Sequence, residues 1–318
     1  MFEVFRDATG PCLAPTGSVV AIGAFDGLHL GHQALLAEVR QRARTLQAVP
    51  AAISFEPLPR AYFSRRPLPR LGSLRDKLAG MREAGVDRLL LLRFNAALTA
   101  MSAEDFVREV LVRRLAVREV WVGGDFRFGH KRAGDFALLE TMGAQLGFAA
   151  RAMPAVKRDG ERVSSSLIRE RLAAADFVAA AAMLGRPFAI GGRVAHGNRL
   201  GRELGYPTAN IHLGRRVSPV EGVFAVRASI EGLAAPVDGV ASLGVRPTVN
   251  EVPQPLLEVH LFDFAGDLYG RRMSTTFVAK LRDEMKFDGV DALVAQMHDD
   301  AATARRILAS DPAFVHTI

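Results

Sequence analysis

Apolar and polar positions change their period part-way along this chain. Up to about residue 184, short apolar runs alternate with stretches in which apolar residues recur at helical spacing. Val19-Val20-Ala21-Ile22 is the first run, unbroken by polar residues, as in a strand buried on both faces. Ala51–Phe55, Arg88–Leu92, Glu119–Gly123 and Phe148–Met153 repeat it. Between them, Leu35, Leu36, Val39 and Leu46 mark a helix beginning near Gly31. Ser73 with Asp76 opens a second helix that Gly85 stops. Ser102 with Asp105 caps a third running to about Leu115, and Asp135–Gly147 reads as a fourth. Pro57 and Pro59 predict an extended loop over Glu56–Arg60. This β-α-β-α order predicts a Rossmann-like α/β domain, its parallel sheet covered by helices and its ligands at the carboxyl ends of strands.

The pattern changes beyond an alanine-rich helix, Asp176–Leu184, closed by Gly185-Arg186-Pro187. Phe188–Val194, Gly222–Ile230, Pro236–Leu243, Leu256–Phe262 and Met273–Lys280 are strand-like and separated by Gly/Pro turns. They predict an antiparallel β-barrel or sandwich. Val290–Met297 and Ala301–Leu308 close the chain as helix. Two domains are expected, residues 1–184 and 185–318, in keeping with a length of 318 residues.

Composition narrows the classes. Apolar content of 49% and charged content of 24% are those of an ordinary globular protein. The formal charge of +7, carried mostly by Arg, suits a phosphorylated small molecule, a nucleic acid or a membrane surface. No dense Lys/Arg run interleaved with aromatics supports nucleic acid, and no apolar run approaches the ~20 residues that span a bilayer. Cys12 is the single cysteine, which excludes an internal disulfide and a multi-cysteine zinc site and suits a reducing cytoplasm. The charged first residues, Met1 to Asp7, do not read as a signal peptide. The chain contains neither GxxxxGK[ST] nor a GxGxxG after the first strand, so a Walker P-loop and a dinucleotide dehydrogenase are not expected.

Three segments of the first domain carry candidate chemistry. Gly23-Ala24-Phe25-Asp26-Gly27 turns the chain from strand to helix and is followed by His29 and His32 around Gly31. Free N–H groups at a helix start favour an anion, Gly27 and Gly31 allow close backbone approach, and two imidazoles can donate to phosphate oxygens. Gly123–Gly129 is a glycine loop in which Phe126 and Phe128 suit stacking on a flat ring and Asp125 accepts a hydrogen bond. Ser164-Ser165-Ser166 with Arg169 sets hydroxyls and a guanidinium at a helix start, a phosphate-binding arrangement. In this order GxFDGxHxGH, GxDFxFG and [IV]SSxxIR resemble the FAD synthetase half of bacterial bifunctional riboflavin kinase/FAD synthetases. The resemblance implies adenylyl transfer: an FMN phosphate oxygen attacks the α-phosphorus of ATP and pyrophosphate leaves, fixed cationic donors lowering the barrier. It implies that His29, His32 and Arg169 act on the ATP phosphates. Gly23, Phe25, Gly27, Gly31, Ser165 and Ser166 would help bind them, with Asp125, Phe126 and Phe128 near the flavin. Ala24, Leu58 and Ser166 stand where the family more often has other residues.

In the second domain, Gly197, Gly201 and Gly205 recur without a helical apolar pattern, as in a loop wrapping phosphates. Thr208 and Asn210 offer hard oxygens of the kind Mg²⁺ takes. Glu258 alternates with Leu257 and Val259 and shares a strand face with His260. The segment Gly192–Asn210, with Gly244–Asn250, Leu257–Gly270 and Leu281–Phe287, resembles the flavokinase domain of the same family. That resemblance implies Mg²⁺-dependent transfer of the ATP γ-phosphoryl group to riboflavin. Glu258 would be the general base, and Thr208 and Asn210 would hold metal and phosphates. Arg282, Glu284 and Phe287 would line the flavin pocket. Val249 stands where Phe is common. The expected enzyme is thus a cytoplasmic transferase making FMN and then FAD, with riboflavin, FMN, FAD and ATP as its partners and neither nucleic acid nor membrane. A different nucleotidyltransferase explains His29 and His32 but not Thr208, Asn210 or Glu258. A flavin- or RNA-binding protein without catalysis is the rival of another class.

Overall fold

The apolar run at residues 19–22 lies inside a strand, β2, in which every residue from Ser18 to Ile22 is buried. The computed structural model describes residues 1–197, 204–248 and 251–311. Two units pack separately: Met1–Leu68 with Leu74–Ser164, and Pro69–Ser73 with the chain from Ser165 onward.

The first unit is a six-stranded parallel sheet of β1 (Glu3–Phe5), β2, β3 (Val49–Glu56), β4 (Arg88–Arg93), β5 (Val117–Gly123) and β6 (Ala149–Met153), in the order β1-β4-β3-β2-β5-β6. Strand order reverses between β2 and β5, where Ala21 pairs with Trp121. That is a topological switch point, and the crevice outside such strand ends is where open α/β sheets take ligands. β2 shows why both faces are apolar: Val20 and Ile22 enter one core cluster, Val19 and Ala21 the other.

Helix α1 (Leu30–Thr45) buries Leu35, Leu36, Val39 and Ala43. The proline loop after β3 is not extended throughout as expected. Pro59 starts a short helix, α2 (Pro59–Phe63), where its missing N–H costs nothing. α3 (Leu74–Glu83) ends before Gly85, whose φ of +80° ends the helix with a left-handed residue. α4 (Ala96–Ala100) was not anticipated. Ser102 caps α5 (Ala103–Asp105), which runs on as a π-helix over Phe106–Arg114. α6 (Phe136–Leu146) is capped by Asp135 and ended by Gly147, as its sequence indicates. A two-stranded hairpin, β7 (Lys157–Arg158) with β8 (Glu161–Arg162), follows β6.

The second unit begins with α7 (Ser165–Ala173) and α8 (Phe177–Leu184). Sequence pattern puts both in the first domain. The packing boundary falls earlier, because Phe177 of α8 meets Phe224 and Phe277 of the barrel strands at 6.0 Å each. The strands are β9 (Ala189–Arg193), β10 (Ala209–His212), β11 (Gly222–Ile230), β12 (Val237–Thr248), β13 (Glu251–Leu261) and β14 (Arg272–Arg282). They pair antiparallel in the order β10-β13-β12-β11-β14-β9. The sheet curls until its edges meet, where the Ala195 N–H donates to the Asn210 carbonyl at 2.8 Å. Sequence pattern marks Asn210 of β10 as a polar ligand but not the strand that carries it. The closing helix is continuous, α9 (Val290–Ser310), with Ala304 and Leu308 buried against Ala225 and Phe262.

Candidate functional site

The turn from β2 to α1 is held in an unusual backbone. Phe25, Gly27 and Leu28 have φ of 51°, 78° and 43°. A left-handed non-glycine residue costs roughly 1–2 kcal/mol, so packing must hold Phe25 there. Its ring is fully buried, 5.1 Å from the His32 ring and beneath Gly23, where a Cβ would lie 3.2 Å from it. Phe25 therefore presents no side chain to a ligand. His29 is the N-cap of α1, its Nδ1 accepting from the His32 N–H at 3.4 Å. That bond places the His29 proton on Nε2. The two imidazoles stack at 3.6 Å and 17°, and Gly31 admits this, since a Cβ there would lie 3.2 Å from the His29 ring. Nδ1 of His32 is sealed from solvent without a hydrogen-bond partner. Burial, then His29 and the Lys77 ammonium, hold His32 well below the usual imidazole range. His32 is accordingly a neutral imidazole near neutral pH.

On the neighbouring β5 end, the glycine loop is partly committed to itself. Phe128 is buried against Phe106, with Phe126 stacked on it at 5.4 Å and 13°. Of the two rings, only Phe126 is partly open. Asp125 is exposed and accepts from Arg162 of β8 at 2.8 Å, and this bond holds its carboxyl below the usual carboxylate range. At the end of β3, Phe55, Tyr62, Phe63 and Phe94 form an edge-to-face cluster in which Tyr62 and Phe63 are exposed. Sequence reading passed over this cluster, although Tyr62-Phe63 after a proline pair was its signal. Ser165, Ser166 and Arg169 lie on α7, in the second unit. Arg169 donates to the Pro69 carbonyl at 2.6 Å and to the Ser165 carbonyl at 3.0 Å.

The barrel holds a cavity of about 460 Å³. Residues expected there from separate motifs line it together: Gly197, Thr208, Asn210, Glu258, Arg282, Glu284 and Phe287. Register explains the meeting. Glu258 on β13 pairs with Asn210 of β10 on one side and Ser242 of β12 on the other. Leu257 and Val259 are buried, while Glu258 and His260 face the cavity. Asn210 is buried, and its amide donates to the Thr208 carbonyl at 3.2 Å, which leaves its side-chain oxygen for another partner. A Cβ on Gly197 would lie 2.5 Å from that amide, so only glycine lets the loop pass so near. Gly205 is exposed with φ of +83°. Gly201, Val249 and the remainder of the glycine loop at 198–203 lie outside the described residues.

Sequence reading missed the supports behind this wall. Asp300 of α9 takes the Arg282 guanidinium at 2.8–3.1 Å. The Ser242 hydroxyl donates to Glu284 at 2.5 Å, and Arg282 stands 5.7 Å over the Phe287 ring. Tyr206, whose phenol burial pushes up, lies 2.5 Å from His298 Nδ1, and His260 donates to the Pro207 carbonyl at 2.9 Å. No local motif marks Asp300 or His298, since both sit on an ordinary amphipathic helix.

Two family models match the chain, FAD synthetase over residues 13–167 and riboflavin kinase over 184–308. The bifunctional riboflavin kinase/FMN adenylyltransferase of Pseudomonas fluorescens is 47% identical over 293 residues, 92% of this chain and 94% of the relative. The chain belongs to the bifunctional riboflavin kinase/FMN adenylyltransferase family. It is thus an enzyme of flavin-cofactor synthesis, a kinase and a nucleotidyltransferase in one polypeptide. The Escherichia coli K12 and Haemophilus influenzae members are 44% and 42% identical, each over 91% of this chain. Among solved structures, one described as a macrolide-efflux protein from Streptococcus pneumoniae matches with a TM-score of 0.79 and 27% identity. The match covers 96% of this chain and 98% of that one. The efflux description concerns that protein; among the described residues here, no helix is long and apolar enough to cross a membrane.

Proposed function

We propose that the barrel cavity transfers the γ-phosphoryl group of ATP to the riboflavin 5′-hydroxyl, and that the turn at His29–His32 binds ATP for adenylyl transfer to the resulting FMN. One observation carries the reading. Glu258, Thr208 and Asn210 share a cavity wall with Arg282, Glu284 and Phe287, a carboxylate and two oxygen donors facing a pocket with an aromatic side. Glu258 takes the hydroxyl proton as the ribityl oxygen attacks phosphorus and ADP leaves. Arg282, Glu284 and Phe287 orient the flavin. The hard oxygens of Thr208 and Asn210 fit Mg²⁺ and would hold it beside the phosphates. When bound, the ion neutralises charge building on the phosphates.

In the adenylyl step, an FMN phosphate oxygen displaces pyrophosphate from the α-phosphorus without a covalent intermediate. His29 and His32 donate N–H groups to phosphate oxygens, and the backbone of Gly23, Phe25, Gly27 and Gly31 approaches them. Ser165, Ser166 and Arg169 keep the phosphate role that their motif implies. Gly197, Gly201 and Gly205 keep theirs in the kinase step. Asp125 and Phe126 meet the flavin, Phe128 backing Phe126; the exposed Tyr62 and Phe63 extend that aromatic surface. Residues 1–184 serve adenylyl transfer and 185–318 serve phosphoryl transfer, which the matched ranges support. The free thiol of Cys12 supports a cytoplasmic setting. Incubation with riboflavin, ATP and Mg²⁺, followed by separation of flavins, tests the reading: FMN and FAD are expected, and formation of neither overturns it.

A further inference from the structure

A lysine is the least expected residue at the heart of the first unit. Lys77 of α3 is 4% exposed, the only lysine buried among the described residues. Its ammonium donates to Ser54 Oγ at 3.1 Å and to the Phe55 carbonyl at 3.3 Å, and lies 3.8 Å from a Glu56 carboxylate oxygen. All three belong to the carboxyl end of β3, beside β2. Ser54, itself fully buried, passes the contact on: its hydroxyl donates to the Ala24 carbonyl at 3.2 Å, inside the turn that carries the histidine pair. The same turn is tied to β3 by the Gly23 N–H, which donates to the Ile53 carbonyl at 3.1 Å.

Burying an ammonium costs several kcal/mol unless its surroundings repay it. An apolar side chain at this place would fasten α3 to β3 more cheaply. The retained charge therefore points to a use for the charge itself. His32, held well below the usual imidazole range, does not supply it, while Lys77 is near enough to help keep His32 unprotonated. A fixed cation beneath a polyphosphate-binding turn acts without solvent reorganisation, which is where charge contributes most to catalysis.

We propose that Lys77 is a positioning residue of adenylyl transfer: through Ser54 it fixes the turn bearing His29 and His32, and it supplies the permanent positive charge beneath the bound triphosphate. The proposal rests on the reading of that turn as the ATP site.

The test uses the full chain and three variants, Lys77→Met, Lys77→Gln and Lys77→Arg. FAD formation from FMN and ATP is measured together with the His32 titration followed by NMR. Lys77→Met lowers kcat/KM by about 10²-fold, the scale of losing one preorganised electrostatic group, and the His32 titration moves upward as the repelling charge goes. Lys77→Arg restores most of the rate and returns the titration towards its original position. Lys77→Gln keeps a hydrogen bond to Ser54 without charge; it behaves as Lys77→Met and carries the comparison if the methionine variant does not fold. Wild-type rates in Lys77→Met and Lys77→Gln overturn the proposal. So does an equal loss in all three variants with the His32 titration unmoved, since Lys77 is then only a structural pin. His32→Ala separates the two levels. If that variant still makes FAD, the reading of the site fails; if it does not, while the uncharged Lys77 variants do, only the role of Lys77 fails.

Discussion

Replacing Asp300 by Ala is the sharpest test of how the barrel cavity is built. The Asp300 side chain is 7% exposed and that of Arg282 is 18% exposed. Three contacts of 2.8–3.1 Å join them, and Gln296 adds a fourth to the carboxylate at 3.0 Å. Removing one partner of a buried ion pair costs about 3–5 kcal/mol, chiefly because the survivor is left desolvated and unpaired. Arg282 keeps its bond to the Asp283 carbonyl at 2.9 Å and borders an open cavity, so water recovers part of the loss. A cost of about 2–3 kcal/mol remains by that discount. At roughly 2–4 °C per kcal/mol for a unit of this size, the barrel's melting temperature falls by about 5–10 °C. Arg282 is also released from its place over Phe287, so the riboflavin KM rises about ten-fold, a loss near 1.4 kcal/mol. Conversion of FMN to FAD continues at its normal rate below the melting range. Calorimetry and flavin chromatography measure both effects. A melting shift under 2 °C with an unchanged riboflavin KM would refute the claim that Asp300 holds the flavin wall.

Other changes separate the two activities. Glu258→Ala lowers FMN formation by ~10²–10⁴-fold, the usual worth of a general base, and leaves FMN-to-FAD conversion intact when FMN is supplied; equal loss of both steps in a folded variant removes Glu258 from the base role. His32→Ala impairs adenylylation alone, which FAD formation from added FMN reads directly. His32 also sets a pH dependence: its folded pKa lies below its unfolded one, so between the two the unfolded chain binds a proton that the folded chain does not. Stability therefore falls as pH drops through that window, and melting curves of His32→Ala against pH show a shallower decline. Chelation of divalent metal stops FMN formation, and excess Mg²⁺ restores it; undiminished turnover in chelator removes the metal from Thr208 and Asn210.

Periodicity disclosed much of this molecule because it reports which face of an element is buried. The apolar run in β2, the Asp135 and Ser102 caps and the left-handed glycines at 85 and 147 were all readable locally. Alternation even placed Glu258 and His260 on one face of β13. Alternation cannot say which strand lies alongside, however, and it was pairing with β10 and β12 that brought Asn210 and Ser242 next to Glu258. The same gap hid what α8 packs against, since its alanine-rich pattern fits any apolar surface until Phe177 is seen among the barrel's phenylalanines. Charge was the least legible property. Two histidines in a glycine turn suggest cationic donors, yet a cap bond fixes the tautomer of one and burial discharges the other. Lys77, in a helix with Arg75 and Arg82, looks like one more solvated cation. Only its depth beneath Ser54 and Phe55 distinguishes it. A side chain's type gives the charge available, but its depth decides whether that charge is kept, screened or lost. In this chain the motif residue His32 is held below the usual imidazole range, while a buried ammonium close by belongs to Lys77, a residue that no motif contains.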